Sequence, residues 1–178
     1  MHHLQTKIYM HLWHILMKSK QFSDSATLSR YGEWFSREGI EPQRVQFEGS
    51  SDWSEYLASY ERIDIALDPF PYAGGTVTCQ ALWMGVPVIT LAGRMGFART
   101  GVSILSSVGL PELIATDEED YQTRVLTLAR DSERLRQLRS GLRQRMQESP
   151  LMDARRCAAS LEASYRWMWE RWCAQKQR

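Results

Sequence analysis

Residues 63–93 read IDIALDPFPYAGGTVTCQALWMGVPVITLAG. Ile63, Ile65 and Leu67 recur at every second position, the period of a strand, and the run ends at Asp68. PFPYAGG is a Pro/Gly turn, and the TVTCQALWMG that follows reads as a helix whose end is marked by Gly85 and Pro87. Val86 to Leu91 is apolar and β-branched, as in a strand covered on both faces. Strand, turn, helix and strand in this order make a βαβ unit and predict a parallel sheet. No residue from Pro69 to Gly93 is charged, a length that would span a bilayer. Pro69, Pro71, Pro87 and the glycines interrupt the run, so it reads as buried core and not as membrane.

The same alternation extends outward from this unit. Upstream, LWHILM (Leu12 to Met17) is short enough for a first strand and ends at Lys18-Ser19-Lys20. Ser23-Asp24 offers an N-cap for a helix through Ala26, Tyr31, Trp34 and Phe35, stopped by Gly39 with Pro42 beyond. Val45-Gln46-Phe47 alternates like a strand, and Ser51-Asp52 caps a short helix, WSEYLASY. Downstream of Gly93 the pattern turns helical: Tyr121, Val125 and Leu128 form one apolar stripe, and Leu135, Leu138, Leu142 and Met146 a second, broken by Ser149-Pro150. A last helix carries Leu161, Tyr165, Met168, Trp169 and Trp172 on one face, which predicts a surface for it to cover. The expected architecture is α/β, a parallel sheet flanked by helices over residues 1–150, with its first eleven or so residues unassigned, and an amphipathic helix over 151–178.

Composition excludes several classes of function. With 178 residues, 43% of them hydrophobic, 22 Lys and Arg against 21 Asp and Glu, the chain has the composition of a folded protein, and its net charge of +1 gives no case for nucleic acid or an anionic membrane as the main partner. Residues 130–178 hold 12 basic and 6 acidic side chains, the pattern of a solvated helical face more than of a binding device. Cys79, Cys157 and Cys173 are odd in number and widely spaced, which indicates neither a disulfide framework nor a zinc site and fits a reducing cytoplasm. All four histidines, His2, His3, His11 and His14, precede residue 15, so the body of the chain has no histidine base or Ser/His/Asp centre. No signal peptide is read at the N-terminus.

In an open parallel sheet, ligands sit beyond the carboxyl ends of the strands, where Ala73-Gly74-Gly75-Thr76 leads from a strand into a helix. Two glycines let a backbone approach a phosphate, the helix start presents unpaired N–H groups, and Thr76 and Thr78 add hydroxyls. The alternative is that these glycines serve turn geometry alone. Asp68 is either a site residue or a brace for this loop. Cys79 reads as a small buried apolar residue, and Trp83, Met84, Trp167 and Trp169 as core or interface.

Residues 63–93 closely resemble the C-terminal catalytic half of the protein O-linked N-acetylglucosamine transferases, the SPINDLY-like bacterial members included. The likeness continues through FARTGVSILSSVGLPELIA, LRSGLRQRMQESPLMDA and LEASYRWMWERW, and upstream through MKSKQFSDSATLSRYGEWFSREGIEPQRVQFEG, so it covers about residues 12–172. The resemblance implies a glycosyltransferase of the GT-B type: two Rossmann-like halves, the C-terminal one holding a nucleotide sugar, with no metal or other cofactor. Residues 1–150 would then be the nucleotide-sugar-binding unit of an enzyme that moves N-acetylglucosamine from UDP-GlcNAc to Ser or Thr of an acceptor protein. The N-terminal half and tetratricopeptide repeats that supply acceptor binding and a base have no counterpart in the chain, which would leave it inactive alone, partnered by those parts or by itself. The alternative is a non-catalytic nucleotide-binding or protein-interaction domain.

Carried over by position, the resemblance places the diphosphate loop on Gly74, Gly75 and Thr76, with Gly75 where animal members often have His. The acid that binds the ribose hydroxyls falls on Gln80, and a His that contacts the nucleotide falls on Tyr56. Val77 replaces a more usual Thr. Arg99 in FARTG matches an arginine that either contacts the donor or braces a neighbouring loop. The phosphate-contacting lysine lies upstream, with Lys7 and Lys18 as candidates.

Overall fold

A computed structural model describes residues 14–176. The leading strand is β1, Ile15–Lys18, joined in parallel to β2, Val45–Glu48, with Ile15 opposite Val45. Between them runs α1, Ser25–Arg37, whose first turn is capped by the Asp24 carboxylate on the Thr27 N–H at 2.8 Å and whose exit turns at Gly39 with φ 75°. Phe22, Tyr31, Phe35 and Phe47 fill the space between α1 and this pair, Phe22 edge-to-face with Tyr31 and Phe47, and Phe35 tilted against Phe47. Leu12, the expected start of the first strand, lies outside the described residues.

The second sheet is wholly parallel in the order β3, β4, β5: Ala66–Leu67, Val88–Leu91 and Ile114–Ala115. α2, Trp53–Ala58, precedes it, capped as expected by Asp52 on the Glu55 N–H at 2.9 Å. α3, Thr76–Trp83, links β3 to β4, and α4, Thr100–Ser107, links β4 to β5. α5, Glu118–Arg130, then packs on the sheet, and α6, Ser132–Glu148, packs on α3 and α5; their predicted stripes, Tyr121, Val125 and Leu128 and Leu138, Leu142 and Met146, are all buried. These meet Leu82, Val86, Val88, Ile89, Leu105 and Leu110 in one core. The uncharged run enters the core from Ala81 to Ile89, with β4 buried on both faces, whereas Pro69, Pro71, Tyr72, Thr76 and Val77 are exposed, because the first part of the run is the loop that leaves the sheet edge.

Two details differ from the sequence reading. Ile63 to Asp68 was expected to be strand throughout, yet only Ala66–Leu67 pair along the ladder, because the Ile63 carbonyl accepts from Arg139 of α6 instead. β5 interrupts a region read as helical, and a two-residue strand carries no period to detect. The glycine after α3, Gly85, has φ 82°, and a Cβ there would stand 2.7 Å from the Arg139 carbonyl, which fixes both the turn and the approach of α6.

α7, Ala154–Lys176, follows a turn at Pro150–Met152 and starts on the Asp153 carboxylate. The surface its stripe was expected to cover is not present among the described residues: Tyr165 (59%), Trp169 (63%) and Trp172 (46%) are exposed, as are Leu161 and Met168. Trp169 and Trp172 stack on each other at 5.2 Å.

Candidate functional site

Parallel pairing places the chain leaving β3 and the chain leaving β4 at the same edge of the sheet. Each enters a helix through a glycine-bearing loop, residues 68–75 into α3 and residues 92–99 into α4. The loops are tied together: the Ala73 N–H donates to the Phe97 carbonyl at 3.3 Å, and the rings of Tyr72 and Phe97 stack at 5.8 Å. Thr100, the first residue of α4, brings its methyl to 3.5 Å from where a Gly75 Cβ would stand. The two helix starts are thus neighbours.

They also differ from the other helix starts. α1, α2, α5, α6 and α7 each have an aspartate whose carboxylate accepts a first-turn N–H, whereas α3 begins at Gly75 and α4 at Arg99 with no side-chain cap. Uncapped first-turn N–H groups and the positive helix ends leave this edge suited to an anion.

Asp68, 4% exposed, sits beneath the loop. One carboxylate oxygen accepts the Gly74 N–H at 2.6 Å, and the other accepts the Thr90 hydroxyl of β4 at 2.6 Å. Burial pushes this carboxyl above the usual range, and the two hydrogen bonds pull against that without reversing it. Of the two readings of Asp68, the structure gives the brace. Tyr121 of α5 adds a hydrogen bond to the Asp68 carbonyl at 3.3 Å.

Tyr56 of α2 and Gln80 of α3 meet directly. The Tyr56 hydroxyl donates to Gln80 Oε1 at 3.1 Å and lies 2.9 Å from the Tyr60 hydroxyl. Burial, and then the bond to Tyr56, pushes the Tyr60 phenol up. Trp53, 62% exposed, stacks on Tyr56 at 5.7 Å. With its oxygen taken by Tyr56, the Gln80 amide turns its N–H groups elsewhere.

The remaining candidates are spread around this centre. Thr76 is exposed at the start of α3, as is Val77. Thr78, expected to offer a hydroxyl, is 3% exposed, with Oγ1 2.7 Å from the position a Gly74 Cβ would take, so it supports the loop from below. Arg99 donates to the Gly93 carbonyl at 2.9 Å, bracing the loop after β4. Lys18 pairs with Glu48 at 3.1 Å, and Arg62 shares that carboxylate at 2.7 Å. Lys7, His2, His3 and His11 lie outside the described residues. Cys79 packs against the core, and burial raises its thiol. No group of three or more metal-ligating side chains occurs among the described residues.

Sequence reasoning missed Thr90 and Gly101. A Cβ on Gly101 in α4 would lie 2.4 Å from Asp68 Oδ2 and 2.4 Å from Thr90 Oγ1, so this glycine makes room for the carboxylate. A glycine in the first turn of a helix was the available signal.

The family described as Glycosyl transferase family 41 matches residues 25–161. A probable UDP-N-acetylglucosamine–peptide N-acetylglucosaminyltransferase SPINDLY of Petunia hybrida is 39% identical over 160 residues, which is 89% of this chain and 17% of that protein. The similarly named SEC of Arabidopsis thaliana is 30% identical over 149 residues, 83% of this chain and 15% of the relative. In structure, a mutant O-GlcNAc transferase of Thermobaculum terrenum superposes with a TM-score of 0.85 at 34% identity, covering 91% of this chain and 31% of that one. The chain spans about a sixth of the length of its curated relatives, and it belongs to glycosyltransferase family 41.

Proposed function

We propose that this chain is the donor-binding half of a protein O-linked N-acetylglucosamine transferase, taking UDP-GlcNAc in the edge formed by the starts of α3 and α4. The observation that carries this is the pair of uncapped helix starts behind a glycine loop, in a chain of glycosyltransferase family 41. The Gly75 and Thr76 N–H groups and the Thr76 hydroxyl would hold the diphosphate, and the developing charge on the leaving UDP would be met by those donors and by the helix dipoles. Gln80 and Tyr56 would face the nucleoside, and no metal is invoked. Inversion by direct attack of a Ser or Thr hydroxyl needs an acceptor and a base, and the body of this chain has no histidine to serve as that base. Residues 1–150 would form the donor unit in the cytoplasm. The exposed stripe of α7 would dock on the remainder of a transferase or on a second copy, which light scattering across concentrations would read as growth in mass.

Calorimetric titration with UDP and uridine tests the reading. UDP should bind at least tenfold tighter than uridine, about 1.4 kcal/mol for the diphosphate. Thr76→Val, which keeps shape and removes the hydroxyl at an exposed position, should weaken UDP by about 1.5–3 kcal/mol, the scale of a hydrogen bond to a charged group, and leave uridine unchanged. UDP and uridine binding equally would overturn the proposal. A second reading, a non-catalytic relative, is favoured by Gln80, whose oxygen is already engaged by Tyr56. Labelled donor offered to an assembly that contains the N-terminal half of a family 41 transferase discriminates the two, since only the first gives turnover.

A further inference from the structure

We propose that Asp68 is the positioning residue of the diphosphate loop: by binding the Gly74 N–H and the Thr90 hydroxyl it turns the next two N–H groups, those of Gly75 and Thr76, toward the ligand. This rests on the reading of that loop as the diphosphate site.

Three segments build a compartment for this one carboxylate. Gly74 comes from the loop, Thr90 from the middle of β4, and Gly101 from the first turn of α4. Both glycines are required by it: a Cβ on Gly74 would stand 2.9 Å from Asp68 Oδ1, and one on Gly101 2.4 Å from Oδ2. Thr90 is itself 1% exposed and therefore fixed in the sheet. A short bond to a buried carboxylate is stronger than a neutral one and strongly directional, so the Gly74 peptide has little freedom to rotate. The Gly74 N–H is used up inside the protein, and it is the following donors that remain for an anion. Since α4 also rests on Asp68 through Gly101, the same carboxylate sets the spacing of the two uncapped helix starts. Preorganised donors cost no reordering when the ligand arrives, which is why their orientation governs affinity for the charged group. Asp68 has both oxygens engaged and little exposure, so it touches no ligand and is not a catalytic residue.

The test compares UDP with uridine on the full chain, because a defect confined to loop orientation lowers the first affinity and spares the second. Asp68→Ala should reduce the preference for UDP over uridine at least tenfold. Asp68→Asn should keep it within about threefold, since the amide oxygen still accepts from Gly74 and the amide nitrogen donates to Thr90. If Asp68→Ala does not fold, Thr90→Val decides: it preserves shape, releases one carboxylate oxygen, and should cut the preference about threefold. Unchanged preference in Asp68→Ala, or in Thr90→Val where Asp68→Ala does not fold, overturns the proposal, as does an equal loss in Asp68→Asn and Asp68→Ala. A wild-type chain with no preference for UDP would instead sink the reading of the loop on which this rests.

Discussion

Replacing Gly101 by Ala is the most direct probe of how tightly the centre is built. Gly101 lies in the first turn of α4 with no positive φ, so propensity favours Gly→Ala there by at most about 1 kcal/mol, the value for a helix interior. Packing opposes it, because the new methyl would lie 2.4 Å from Asp68 Oδ2, 2.4 Å from Thr90 Oγ1 and 2.9 Å from Thr90 Cβ. None of these atoms is the loose end of a long side chain. Overpacking of this kind costs about 1–3 kcal/mol, and prising apart the Thr90–Asp68 hydrogen bond about 1–3 kcal/mol more. The net expectation is a loss of about 3 kcal/mol, or a fall in Tm of roughly 10 °C for a chain of this size. Gly141→Ala is the matched control: it lies in α6 with nothing within 4 Å of its Cβ and should gain up to about 1 kcal/mol. Thermal and urea unfolding of both variants read the difference. In an Asp68→Ala background the cost of Gly101→Ala should shrink, as coupled neighbours require. Gly101→Ala as stable as the parent, or an undiminished cost in the Asp68→Ala background, refutes the carboxylate compartment.

Gln80→Glu should tighten UDP by about 1 kcal/mol, because Tyr56 already occupies one oxygen and a carboxylate leaves a second, charged one for the ribose hydroxyls. Titration with 2′,3′-dideoxy-UDP checks this, for a gain that persists without the hydroxyls assigns it elsewhere. Stability should respond to acid through two opposed carboxyls. Burial raises the Glu48 carboxyl, but hydrogen bonds from Arg62 and Lys18 outweigh it and hold the group below its usual range. Its contribution is therefore present at neutral pH and lost as the pH falls. Asp68 is raised, so its contribution is present in acid and lost as the pH rises through its folded value. Urea midpoints between pH 3 and 7 should therefore show Glu48→Gln flattening the acid loss and Asp68→Asn gaining on the parent as the pH climbs. Parallel curves for parent and variants would contradict these assignments.

What could be read from the residues, and what could not, follows the reach of each interaction. Asp24 and Asp52 cap the helices predicted for them because capping spans three residues and leaves a local signature. The stripes of α5 and α6 were legible because burial repeats with the helical period. Gly74, Gly75 and Thr76 announced the loop by composition. The partnership of Asp68 with Thr90 joins positions 22 residues apart across two strands, and that of Tyr56 with Gln80 joins positions 24 apart. No period or spacing encodes such pairs, and topology alone brings them together. Thr78 illustrates the same limit, since one residue's rotation around α3 decides whether a hydroxyl lies above the loop or beneath it.

The two adjacent loop glycines are not equivalent, and the difference bears on how such a site changes over evolutionary time. Gly74 is held by its neighbours, for a side chain there would strike Thr78 and Asp68 before any ligand arrived. Gly75 meets only the Thr100 methyl at ordinary contact distance, and its φ of −116° does not demand glycine. The first position is therefore frozen by the scaffold, while the second is open to trial: a lineage can place a larger residue there, tune its chemistry toward the ligand, and leave the architecture undisturbed.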